Sequence, residues 1–273
     1  MTAALGELYS TYQTFLDENV DPRIKHYPLV GSPVPIITIV ILYNYFINNW
    51  GPAFMKDRPP FQLRRPMIIY NAVQVVVNAW IVYMAVTKIW MNEKFSWVCQ
   101  GANYLEDELE LTVVRLAYFY YLTKIVDLTD TVFMVLRKKN RQISFLHKYH
   151  HMGMCLGGWI GTAFVGGGSQ IVLFGTLNCI VHTIMYGYYL LVILHPQYTV
   201  LSFKRRITEL QLIQFTIIFF HGVSVLFIPN CTFPKWVLII IVPQDVFMFV
   251  LFWDFYAKTY LKPQPKTPAK KVD

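Results

Sequence analysis

Three histidines, His147, His150 and His151, form the pattern HxxHH at the head of an apolar run. On a helix, positions i, i+3 and i+4 project from one face, so the three imidazoles share a stripe. A lone histidine in an apolar helix is most often a packed, hydrogen-bonded side chain, but three together are costly to bury without a use. Upstream, Lys124, Asp127, Asp130 and Thr131 fall on one arc of roughly 120° if their segment is helical. Each charge at mid-membrane costs roughly 2.5–3.5 kcal/mol on insertion scales, so this face needs mutual pairing or a wet cavity. Downstream, Asn178, His182, Met185, Tyr186 and Tyr189 recur at i, i+4, i+7, i+8 and i+11, and Thr208, Gln211, Gln214 and Phe215 follow.

Three kinds of chemistry use such groups. HxxHH also occurs in the histidine boxes of membrane desaturases and hydroxylases. Their di-iron sites need several boxes, whereas His26, His195 and His221 here lie in none, so the expectation is no metal. A cysteine nucleophile is the second option, since Cys155 follows His151 by four residues. It would leave the three-histidine stripe without a role. The third is metal-free acyl transfer, in which a neutral imidazole attacks a thioester and a carbanion equivalent then displaces it.

At this point the chain resembles the very-long-chain fatty acid elongases, the 3-ketoacyl-CoA synthases of the endoplasmic reticulum. Lys124 to Thr131 looks like their KxxExxDT motif, with Asp127 in place of the usual glutamate and its reach one methylene shorter. His147 to His151 is similar to their histidine box; Asn178 to Tyr189 reads NxxxHxxMYxYY, and Thr208 to Phe215 reads TxxQxxQF. The resemblance implies condensation of a long-chain acyl-CoA with malonyl-CoA, with loss of carbon dioxide, to a 3-ketoacyl-CoA two carbons longer. It implies no cofactor. His150 is the expected acyl carrier, with His147, His151 and His182 as the other catalytic groups. Lys124, Asp127, Asp130, Thr131, Asn178, Tyr186 and Gln211 are the expected binding or orienting groups. A homodimer and association with the other enzymes of the elongation cycle are further expectations.

Positioning these groups falls to helices in a bilayer. The chain has 273 residues, 55% of them hydrophobic and 16% aromatic, with a mean hydropathy of +0.39. That is too apolar for an ordinary soluble domain. Seven apolar stretches have roughly the length of a span: residues 33–46, 67–90, 111–136, 143–165, 172–194, 213–227 and 236–255. The expected fold is therefore an all-α integral membrane protein of seven transmembrane helices. By the resemblance, six of them surround a narrow acyl-chain tunnel. A receptor or transporter, with its intramembrane charges on a ligand or proton pathway, is the non-enzymatic alternative.

The net charge of +8 is uneven. Basic residues crowd the loops after the first, third and fifth stretches, for example Arg137, Lys138, Lys139 and Arg141, which puts the amino terminus in the lumen and the carboxyl terminus in the cytosol. This topology accounts for the basic face, and nucleic acid is not expected. Cys99 and Cys231 then fall in luminal loops, where a disulfide can form. Asn230, Cys231 and Thr232 spell a glycosylation acceptor in a loop too short to favour modification. Residues 1–261 read as one membrane domain. Residues 262–273 read as a disordered, lysine-rich cytosolic tail whose Lys270 and Lys271 resemble a di-lysine retrieval signal for the endoplasmic reticulum. An anionic lipid surface is the other use of such a tail.

Overall fold

In the computed structural model, described for residues 2–104 and 107–261, helices and their connections account for the chain, with no strand among the described residues. The tail at 262–273, with Lys270 and Lys271, lies outside the described residues. Among the described residues nine α-helices follow in order: α1 (Thr2–Asn19), α2 (Val34–Tyr45), α3 (Gly51–Met55), α4 (Arg64–Met84), α5 (Glu108–Leu136), α6 (Phe145–Ile160), α7 (Ser169–Leu194), α8 (Leu201–Ser224) and α9 (Trp236–Tyr256). Wider π-helical turns join α2 to α3 and extend α4, α6 and α9, giving continuous helical runs over 34–55, 64–90, 145–165 and 236–261.

Four of these helical runs are long and apolar enough to cross a membrane: Arg64–Trp90, Ser169–Leu194, Leu201–Ser224 and Trp236–Leu261. Their outward faces carry large apolar side chains, such as Ile69, Val76, Phe220 and Ile239, the last 77% exposed. Water would not tolerate so many of them on one surface, and lipid does. The chain is thus a multi-pass membrane protein. α5 and α6 carry the polar motifs and are covered by their neighbours: α5 packs against α4, α6 and α7, and α6 also touches α2 and α9. The longest contact runs between α4 and α7, and α8 packs along α9.

Local chemistry sets the helix starts. Asp107 caps α5 by accepting from the Glu110 N–H at 2.9 Å, and Ser144 caps α6 by accepting from the His147 N–H at 3.2 Å. The Ser144 cap fixes where the histidine stripe begins. Between α6 and α7 the chain reverses through Gly166, Gly167 and Gly168, all at positive φ (65°, 121° and 93°). A Cβ on Gly166 would strike the Asp21 carboxylate, and one on Gly168 the Gln100 carbonyl.

That end of the bundle is tied together by polar groups. Arg23 pairs with Asp21 at 2.6 Å, donates to the carbonyls of Asn103 (2.7 Å) and Gly166 (3.0 Å), and has Glu110 at 3.8 Å. Burial works against its charge, but the hydrogen bond and charge of Asp21, with Glu110 beyond, hold its pKa above the ordinary value. Cys99 and Cys231 are bonded, with their Cα atoms 5.6 Å apart, and Gly101 N–H donates to Thr232 Oγ1 at 3.0 Å beside them.

Three elements differ from the sequence expectation. α8 begins at Leu201, twelve residues before the apolar stretch at 213–227, because Arg205 and Arg206 both pair with Glu209 (2.9 and 2.8 Å) and sustain a polar first half. The first stretch continues past residue 46 to Met55. The amino-terminal segment, too polar to read as a span, forms α1, which buries Leu16 and lays Tyr12 against the core.

Candidate active site

Lys124, one turn before Asp127 on α5, is 1% exposed and places its ammonium 2.9 Å from Asp127 Oδ2. Asn178 Oδ1, from α7, accepts from the same ammonium at 2.9 Å and from Tyr120 OH at 3.1 Å. His182, one turn after Asn178, turns Nδ1 toward Lys124 Nζ (3.4 Å) and Asp127 Oδ2 (3.5 Å). The ammonium donates to all three groups and is fully spent. With Lys124 donating to Nδ1, a neutral His182 ring carries its proton on Nε2. The Tyr120 ring lies under the ammonium at 4.9 Å, which adds a cation–π contact.

The two oxygens of Asp127 have different partners. Oδ2 faces the cation and His182, while Oδ1 accepts from Gln74 of α4 and from Tyr186 OH of α7, the latter at 3.0 Å. Tyr186 OH also lies 2.7 Å from Asp130 Oδ2, so one phenol serves two carboxylates. Tyr70 OH is 3.3 Å from Tyr186 OH and accepts from Gln74 Nε2 at 3.1 Å.

The histidine stripe flanks this cluster on α6. Thr131 Oγ1 is 2.8 Å from His147 Nε2 and 2.7 Å from Tyr43 OH, so α2, α5 and α6 meet at one hydroxyl. The His151 ring packs on His147 with centroids 4.3 Å apart. His150 has its ring 5.6 Å from that of His151 and 6.1 Å from Phe252, and Lys124 and Asp127 lie within electrostatic reach. Its buried Nδ1 has no hydrogen-bond partner among the described residues.

Most of the residues singled out in the sequence come together here, but not all share one job. Asp130 Oδ2 accepts from Tyr186 OH. Gln211 donates from Nε2 to Met185 Sδ at 4.0 Å. Cys155 is fully buried and its thiol donates to the Lys124 carbonyl at 3.2 Å, a packing role. Asp245 on α9 is buried at 5% exposure, its side chain without a hydrogen bond among the described residues. Gln74, Tyr70, Tyr120 and Tyr43 escaped the motif reading. Asn71, Gln74 and Asn78 lie at i, i+3 and i+7 on an otherwise apolar helix, and that polar face was the available signal.

No three histidine, cysteine, aspartate or glutamate side chains among the described residues are grouped to hold a metal ion. What the arrangement does offer is a buried cation neutralised by one carboxylate, a second carboxylate held by a phenol, and imidazoles with nitrogens to spare.

An apolar helical bundle with such a centre defines a class, the polytopic membrane proteins with a reactive site inside the bundle. Residues 28–268 match the ELO: GNS1/SUR4 family, and the chain belongs to it. It is 39% identical over 253 residues to very long chain fatty acid elongase 4 of Homo sapiens, covering 92% of this chain and 79% of that one. It is 35% identical over 266 residues to very long chain fatty acid elongase 7 of Drosophila melanogaster (97% and 80% covered) and 36% identical over 249 residues to very long chain fatty acid elongase 1 of Mus musculus (90% and 88% covered).

Proposed function

We propose that this chain is the condensing enzyme of long-chain and very-long-chain fatty acid elongation, joining an acyl-CoA to malonyl-CoA. Membership of a family whose relatives are named elongases supports the activity. One observation carries the mechanism: His182 touches the Lys124–Asp127 pair, His150 lies within its electrostatic reach, and the buried Nδ1 of His150 has no hydrogen-bond partner among the described residues.

The neutral His150 imidazole attacks the thioester carbonyl, the C–S bond breaks, and CoA leaves as the thiol with the imidazole proton. Malonyl-CoA then loses carbon dioxide, and the electron pair of the broken C–C bond forms an enolate. The enolate carbon attacks the acyl-imidazole, a new C–C bond forms and the acyl C–N bond breaks, and the departing His150 imidazolate takes a proton from solvent, leaving a 3-ketoacyl-CoA. His182 donates from Nε2 to oxyanion or enolate oxygen, a contact worth several kcal/mol in a dry site. Lys124 holds His182 and Asn178 in place while Asp127 pairs with the lysine. His147, held by Thr131, packs on His151 and orients the stripe. Burial keeps the enolate from protons. No metal or other cofactor enters this sequence.

In this reading the helical runs form seven spans, six of them around a narrow acyl tunnel lined by apolar side chains of α7, α8 and α9. The loop charges put the amino terminus in the endoplasmic-reticulum lumen and the basic tail in the cytosol, with Lys270 and Lys271 as the retrieval signal and the basic loops facing the CoA phosphates. Homodimers and contacts with the other elongation enzymes belong to the same reading.

The test is malonyl-CoA-dependent extension of a panel of long acyl-CoAs by purified protein, wild type beside His150→Ala, with and without chelator. Two-carbon-longer 3-ketoacyl products that survive chelation and vanish in the variant, together with an acylated His150 peptide when malonyl-CoA is withheld, are expected. Loss on chelation would return the site to metal chemistry. No product from any donor, with ion or lipid flux in vesicles, would favour a transporter.

A further inference from the structure

Among the described residues Asp127 is the one carboxylate that touches both Lys124 and His182, so whatever fixes its rotation fixes the reacting geometry. A carboxylate held only through Oδ2 can swing about its Cβ–Cγ bond. Oδ1 here is pinned by two neutral donors, Tyr186 from α7 and Gln74 from α4. Gln74 is 2% exposed, and both of its amide protons are engaged, one on Asp127 and one on Tyr70 OH. It therefore cannot rotate without leaving a buried N–H unpaired, a cost of about 1–3 kcal/mol. None of the four motifs includes α4, yet α4 has its longest contact with α7 and also packs on α5, the two helices whose polar faces must stay in register.

We propose that Gln74 is a positioning residue for condensation, holding the Asp127 carboxylate so that Oδ2 presents Lys124 and His182 to the substrate, with Tyr70 holding Gln74 in turn. This rests on the condensing reaction argued above. Gln74 touches no reacting atom; it acts through Asp127. The charged and titratable groups around its amide are Asp127, Asp130 and Lys124 from α5, Tyr186 and His182 from α7, and Tyr70 on its own helix.

Two variants separate positioning from packing. Gln74→Leu fills the same space without a donor. Gln74→Glu keeps the shape and donates to Asp127 only while its own acid is protonated, since two ionised carboxylates in contact repel. Initial rates of malonyl-CoA-dependent condensation across a pH series are measured for wild type and both variants, with folding followed by size exclusion in detergent. For Gln74→Leu, kcat is expected to fall roughly 10- to 100-fold, the scale of a small misplacement of a reacting group, with KM within about threefold. Gln74→Glu is expected to gain a descending limb as pH rises, absent from wild type. A Gln74→Glu profile that superimposes on wild type after scaling, or a Gln74→Leu loss lying only in KM, overturns the proposal. Should Gln74→Leu fail to fold, the Gln74→Glu profile decides alone. An inactive wild type removes the condensing reading and this proposal with it, whereas an active wild type with indifferent variants removes only the proposal.

Discussion

Replacing Lys124 with methionine keeps most of the side-chain volume and removes the cation from the centre of the site. Asp127 Oδ2 is then left against His182 at 3.5 Å, and Asn178 Oδ1 keeps only Tyr120 at 3.1 Å. Both members of the Lys124–Asp127 pair are at most 3% exposed, so water cannot take the place of the ammonium. Breaking one side of such a pair costs about 3–5 kcal/mol. Adding Asp127→Asn removes the orphaned charge while its amide oxygen still accepts from Gln74 and Tyr186, so the double variant is expected to regain most of that loss. Heating the detergent-solubilised proteins and following the folded fraction by size exclusion gives the order: wild type, then the double variant, then Lys124→Met. Condensation is absent from both variants, so stability returns without activity. A single variant that melts with wild type, or a double variant that melts below the single one, would refute the claim that this pair is a buried, water-free neutralisation.

Other perturbations give sharper contrasts. Tyr186→Phe takes the shared donor from Asp127 and Asp130, and a kcat lower by about tenfold or more is expected, since an unmet buried acceptor costs about 1–3 kcal/mol; rates equal to wild type would contradict the bridging role. Cys155→Ser should keep most of the activity, because a hydroxyl donates to the Lys124 carbonyl as the thiol does, whereas a nucleophilic cysteine would lose it all. Arg23→Leu leaves Asp21 and the carbonyls of Asn103 and Gly166 without their cation and should lower the melting midpoint well below that of a surface control such as Lys25→Leu. An equal effect of the two would show the Arg23 network to be incidental.

The polar faces of α5, α6 and α7 were legible in the sequence because a charge or imidazole in an apolar helix is expensive and its spacing states the face. Their mutual contacts were not. Nothing in a one-dimensional pattern says that Tyr186 reaches both aspartates, that Thr131 meets His147, or that Gln211 turns to Met185. Gln74 was missed because one amide among valines and isoleucines looks tolerable until it is read with Asn71 and Asn78. The early start of α8 was hidden for another reason: hydropathy registers Arg205, Arg206 and Glu209 as loop, whereas Glu209 lies four residues after Arg205 and three after Arg206, spacings that support the helix that contains them.

The triple-glycine reversal between α6 and α7 does more than turn the chain. It joins the helix bearing the HxxHH stripe to the helix bearing Asn178, His182 and Tyr186, with only three residues between the end of one run and the start of the next. The turn leaves no slack, since a Cβ on Gly166 or Gly168 would strike the Asp21 carboxylate or the Gln100 carbonyl, so a residue added there must displace the packed loop that sets where α7 begins. The two helices therefore make an indivisible cassette. A chimera between elongases that exchanges both helices together with their turn keeps that seat intact, whereas one that changes the length of the turn disturbs the start of α7 even when every catalytic residue is retained.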